Sequence, residues 1–153
     1  MTEISVHPAV LRVSVVEDDE DIRAHLALLI SRAKGFQLAG QYSSAENALE
    51  EIPSDPPDVV LMDINLPGMQ GTQCVRALKQ RLPGLLIVML TVYEDSEQIF
   101  ESLRAGASGY LLKRTPSARI LSAIREVQGG GSPMNNHIAR KVVQFFNQQP
   151  SPD

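Results

Sequence analysis

Residues 58–71 read D-V-V-L-M-D-I-N-L-P-G-M-Q-G. A near-continuous apolar run, Asp58–Met62, leads straight into an ionisable group, Asp63, and a Pro-Gly turn follows four residues later. Runs of this kind mark strands covered on both faces, as in a parallel sheet. A carboxylate at the end of such a strand costs free energy unless it opens on solvent or a partner. The pattern therefore places Asp63 at the rim of a buried sheet.

Working outward, three more runs have strand character: Leu11–Val16 (LRVSVV), Leu85–Leu90 (LLIVML) and Gly109–Leu112 (GYLL). Phe36–Tyr42 (FQLAGQY) alternates like an edge strand. Helical spacing fills the intervals. Asp19–Ala33 carries Ile22, Leu26, Leu29 and Ile30, and Ser44–Ile52 opens on a Ser cap. Gln70–Leu82 carries Val75, Leu78 and Leu82. Asp95–Ala105 carries Ile99 and Leu103 before a Gly106 stop. A fifth helix opens at Thr115-Pro116-Ser117 and carries Ile120, Leu121, Ile124 and Val127. Five strands alternating with five helices imply an α/β fold: a doubly wound parallel sheet with helices on both faces.

The segment 129–133, G-G-G-S-P, breaks the pattern and is the best candidate boundary. Beyond it Met134, Ile138, Val142, Val143, Phe145 and Phe146 mark one more amphipathic helix, and the tail is polar. The expected organisation is a leader over 1–9, one domain over 10–130, and a linker with its helix over 131–153.

Composition restricts the function classes. The 153 residues are 43% apolar, enough for a core, and the formal charge is −4. No cluster of Lys and Arg suits a phosphate backbone. A single cysteine, Cys74, allows no internal disulfide and reads as a buried thiol. Met1–Pro8 lacks the basic start of a signal peptide, and no apolar run approaches the roughly 18–20 residues of a membrane span. The expectation is a cytoplasmic protein with no membrane contact. His7, His25 and His137 are too scattered to form a metal or phosphohistidine site. The glycines at 129–131 follow a helix and lack Lys-Ser/Thr, so they are no phosphate loop.

Glu17 and Asp18 follow the first strand, Asp63 the third, Thr91 the fourth and Lys113 the fifth. Singly, each has a plainer reading: a helix cap for Asp18 or Asp19, a turn at Asp63, a cap or strand residue at Thr91, a surface lysine at Lys113. Together they share the C-terminal edge of a parallel sheet, where ligands bind at the point of strand-order reversal. With the order 2-1-3-4-5, Glu17, Asp18 and Asp63 would share one pocket. Three carboxylates so placed repel, and a divalent cation relieves them. Mg²⁺ fits as a hard ion taking one or two carboxylates, waters and a phosphate, with Mn²⁺ as a substitute. The backbone carbonyl of Asn65 could add an oxygen. A carboxylate beside such an ion can act as a nucleophile and form an aspartyl phosphate. Lys113 and the Thr91 hydroxyl are placed to meet the phosphoryl oxygens.

V-V-E-D-D at 15–19, L-M-D-I-N-L-P-G-M-Q-G at 61–71, L-T-V-Y-E-D at 90–95 and A-G-A-S-G-Y-L-L-K at 105–113 resemble a response regulator receiver domain of a two-component system. The last motif, with the following G-G-G-S-P-M, is similar to the LuxR/NarL-type subfamily. The resemblance implies a flavodoxin/CheY-like sheet of order 2-1-3-4-5 with an extra C-terminal helix. It implies Asp63 as phospho-acceptor, Glu17 and Asp18 as the acidic metal pair, Thr91 as switch hydroxyl and Lys113 as the phosphate-pairing lysine. Tyr110 falls on the aromatic position that moves inward with Thr91, and Asn65 and Tyr93 on positions that tune phosphoryl lifetime. The implied donor is a sensor histidine kinase, with small phosphodonors able to substitute. Implied, too, is transcription control by a helix-turn-helix domain missing from this chain, which alone would touch DNA. The chain would then be either trimmed or a stand-alone receiver, and a homodimer is one way to bury the last helix. Enzymatic activity is expected only on its own phosphoryl group.

Three departures stand out. Glu17 replaces the commoner Asp, Arg114 follows the lysine where proline is frequent, and Val92 is bulkier than the usual alanine, which would narrow phosphoryl access. Two other readings stay open: a phosphorylation-independent interaction module, and a haloacid-dehalogenase-type phosphatase. The latter normally has a second Asp two positions on, where Asn65 stands.

Overall fold

The computed structural model describes residues 10–148. The leader 1–9, with His7, and the tail from 149 lie outside the described residues. Five strands form one sheet: β1 (Leu11–Val16), β2 (Phe36–Tyr42), β3 (Val59–Met62), β4 (Leu86–Thr91) and β5 (Gly109–Leu112). All pairings are parallel, in the order β2-β1-β3-β4-β5. The helices are α1 (Glu20–Arg32), α2 (Ala45–Glu51), α3 (Gly71–Arg81), α4 (Ser96–Ala105), α5 (Ser117–Gln128) and α6 (Asn136–Gln148). A 3-10 turn, Ile52–Ser54, prolongs α2 and was not foreseen. It forms where Pro53 cannot supply an amide to continue the α-helical ladder.

The continuous apolar runs of β3 and β4 divide by parity. Val60, Met62, Ile87 and Met89 pack with Ala48, Cys74, Val75, Leu78 and Ile99. Their neighbours Val59, Leu61, Val88 and Leu90 pack with Leu26, Ile30, Ile120 and Ile124. Two cores thus sandwich the sheet, as side chains alternating across a strand require. Helix starts follow the capping signals: Asp19, Ser44 and Asp95 accept from the amides of Ile22, Asn47 and Gln98. The first cap is thus Asp19 rather than Asp18. Gly106 closes α4 at φ 119°, a left-handed conformation that glycine adopts without penalty.

The stretch after the glycines lies along the open edge of β5. Tyr110 N donates to Pro133 O at 2.9 Å, Tyr110 bridges Met134 in parallel, and Leu112 N donates to Asn135 Oδ1 at 2.8 Å. These bonds occupy donors that an uncovered edge would expose. They also lead α6 onto α4.

Two positions allow direct tests. Gly71 opens α3 so close to the β3–α3 loop that a Cβ there would lie 1.8 Å from Asp63 O. Gly71→Ala should cost more than about 2 kcal/mol in urea unfolding, because backbone must move. Cys74 is fully buried, and burial first, then the charge of Glu46, pushes its thiol up to about 12. Its reaction with a disulfide reagent at pH 8 should follow unfolding rather than thiol chemistry, rising sharply only through the urea transition.

Candidate phosphoryl-acceptor site

The C-terminal ends of β1, β3, β4 and β5 bring the expected residues to one rim. Their backbones are locked in register beyond the strands: Asp63 N donates to Val16 O at 3.1 Å, and Lys113 N donates to Thr91 O at 2.9 Å. Glu17, Asp18 and Asp63 each offer a carboxylate oxygen within 4.8 Å of the others. Glu17 is 2% and Asp63 4% exposed, while Asp18 faces solvent.

Lys113 joins the two buried acids. Its Nζ lies 2.6 Å from Glu17 Oε1 and 2.9 Å from Asp63 Oδ2. The other oxygens are also engaged: Asp19 N donates to Glu17 Oε2 at 3.0 Å, and Ile64 N donates to Asp63 Oδ1 at 2.7 Å. Burial pushes the Glu17 carboxyl above its ordinary range, against the pull of the Lys113 hydrogen bond and the Asp19 amide. For Lys113, burial acts downward, but its hydrogen bonds to Glu17 and Asp63 outweigh it and the ammonium is held more firmly protonated.

Thr91 ends β4, fully buried, and its Oγ1 has no hydrogen-bond partner among the described residues. A buried orphan hydroxyl is uncommon and points to a group that it would serve. Tyr110 is also fully buried and donates its hydroxyl to Tyr93 O at 2.9 Å. The aromatic expected to move inward is therefore already enclosed. Asn65 is exposed on the loop after Asp63, and Val92 is 65% exposed. The Lys113–Arg114 bond is trans, since the described residues contain no cis peptide.

A family model described as the response regulator receiver domain matches residues 13–125. The chain belongs to that family. It is 35% identical over 143 residues to the response regulator GacA of Pseudomonas protegens, covering 94% of this chain and 67% of that protein. Identity to the response regulator UvrY of Escherichia coli is 32% over 133 residues, covering 87% and 61%. The transcriptional regulatory protein DegU of Brevibacillus brevis is 27% identical over 136 residues, covering 89% and 58%. The chain thus spans about three fifths of the length of several curated relatives it matches. A crystal structure of a LuxR-family two-component response regulator from an Aurantimonas species superposes with a TM-score of 0.85 at 27% identity, covering 92% of this chain and all of that one. A CheY-like receiver from Methanospirillum hungatei gives 0.74 at 27% identity, covering 80% and 96%. This receiver domain is a signalling module, not a metabolic enzyme.

Sequence reasoning missed the amides of Asp19 and Ile64 that hold the acids, because backbone donors carry no residue signature. It also missed Glu94, which joins Arg114 and His137 beside the rim. No helix among the described residues is long and apolar enough to cross a membrane.

The donor set of this receiver, three carboxylates with one ammonium among them, retains excess negative charge. Relieving part of it by Asp18→Asn should stabilise the metal-free protein by about 0.5 kcal/mol. Millimolar Mg²⁺ should raise the melting temperature of the parent, and the same variant should lose most of that rise. Thermal scans in chelator and in Mg²⁺ read both effects.

Proposed function

We propose that this receiver accepts a phosphoryl group on Asp63 and switches between two states in response. The observation that carries this reading is the buried Asp63 carboxylate, 2.9 Å from Lys113 Nζ, on a rim shared with Glu17, Asp18 and the orphan Thr91 hydroxyl. An Asp63 oxygen attacks phosphorus and forms a P–O bond. The bond from phosphorus to its donor breaks, and the electron pair leaves with that donor. Lys113 holds the acceptor in place and meets the added negative charge, and Thr91 donates its hydroxyl to a phosphoryl oxygen.

Glu17, Asp18 and Asp63, with the Asn65 carbonyl, are the residues that would hold Mg²⁺ or Mn²⁺. Three hard oxygen donors so close together suit such an ion. When bound, the ion would offset charge on the transferring group. A sensor histidine kinase is the donor that family membership supports, with this receiver acting in the cytoplasm, and small acyl phosphates can substitute as donors of the same phosphoryl group. Asn65 and Tyr93, next to the acceptor and the switch hydroxyl, tune phosphoryl lifetime. Similarity to a relative named as a transcriptional regulatory protein, DegU, supports an output on DNA through a further domain, with residues 10–130 as the receiver and 131–153 as the linker and its helix.

Acetyl phosphate with Mg²⁺ should add a phosphoryl mass of about 80 Da, and chelator should prevent it. Asp63→Asn should abolish the addition. Full labelling of that variant would remove Asp63 from its role, and turnover of phosphate esters by the parent would favour a phosphatase.

A further inference from the structure

The last helix is fastened to the loop that directly follows Thr91. On its apolar face Ile138 is fully buried, and Phe145 stacks on Phe100 of α4 with ring centroids 3.7 Å apart. Polar contacts add a second attachment. Lys141 Nζ donates to the backbone carbonyl of Glu94, and His137 Nε2 lies 2.9 Å from Glu94 Oε1. Arg114, just past β5, donates to Glu94 Oε2 at 2.9 Å. One residue earlier, Tyr93 O accepts from Tyr110. Two successive carbonyls and one carboxylate of the 92–95 loop are therefore held by α6, β5 and the segment after β5.

Thr91 enters this loop with its hydroxyl buried and unpartnered. That arrangement is unfavourable by itself, because the hydroxyl has given up water without gaining an acceptor. A loop free to relax would turn the group toward water. The grip on residues 93 and 94 opposes that relaxation, and so does the packing of Tyr110, whose amide and side chain are tied to Pro133 and Tyr93.

We infer that α6 is a positioning element for the acceptor site: through Glu94 it holds Thr91 where its hydroxyl awaits a phosphoryl oxygen. Lys141 and Phe145 act through Thr91 and touch no reacting atom. Two processes that favour one loop conformation must reinforce each other, so docking of α6 strengthens binding of a phosphoryl-like anion at Asp63, and that anion tightens α6. The inference rests on Asp63 as the acceptor.

The test uses the whole 153-residue chain and the beryllium trifluoride anion with Mg²⁺ as the phosphoryl mimic. Amide hydrogen exchange over 136–148 should slow several-fold when the mimic is added to the parent protein. Lys141→Ala and Phe145→Ala should each weaken the mimic about fivefold or more, the ordinary size of a coupling between sites. Lys141→Arg, which keeps a cationic donor, should restore affinity. Arg12→Ala breaks an ion pair with Asp55 at the opposite edge of the sheet and should leave affinity unchanged even where it lowers the urea midpoint. Faster or unaltered exchange in α6, or parental affinity in both α6 variants, overturns the inference while leaving Asp63 as acceptor. A parent chain that neither binds the mimic nor takes up phosphoryl from acetyl phosphate overturns both.

Discussion

A lysine ammonium held 2.6 Å from one buried carboxylate and 2.9 Å from another is the contact on which the rim of this receiver depends. Without it, the Glu17 and Asp63 carboxylates would face each other across a desolvated gap with no cation between them. Lys113 can reach both because β5 ends level with β4, whose last residue accepts the Lys113 amide, while Asp63 is tied to the end of β1. The ion pair and the sheet register are therefore one constraint seen from two sides. A shift of one residue in any of these strands would turn a functional side chain to the wrong face.

That constraint explains why a chain tolerates polar groups beside its core. The rim is backed by β3 and β4, whose residues up to Met62 and Leu90 are apolar on both faces, and it can be polar because the strands stop there. Glu17, Asp63 and Thr91 are buried, yet the two acids have all four oxygens within reach of a donor or a neighbouring charge. Thr91 is the exception, and its unpartnered hydroxyl is the feature of this rim that most calls for a ligand. Stability alone would favour a valine of the same shape there.

The far side of the sheet edge is closed by chain from beyond the glycines. Pro133, Met134 and Asn135 continue the ladder at β5, and α6 follows onto α4. Glu94 thereby comes within reach of one cation from α6, one from the segment after β5 and a histidine. Val143 and Phe146 remain exposed on the same helix, so α6 buries only part of its apolar surface on this domain.

Much of this was legible in the residues. The near-continuous apolar runs Asp58–Met62 and Leu85–Leu90 read as strands covered on both faces, and they form β3 and β4. The Ser and Gly signals at 44 and 106 fixed helix ends, because capping is local chemistry between the terminal residue and the nearest backbone groups. Polar residues at the ends of four strands marked the site's edge. Tertiary structure alone decided the rest. That Lys113 chooses both Glu17 and Asp63, that Tyr110 is enclosed and that Glu94 gathers its partners all depend on groups distant in sequence meeting at about 3 Å. Local patterning sets which face a residue takes, but such meetings depend on how separate elements pack, which no short stretch encodes.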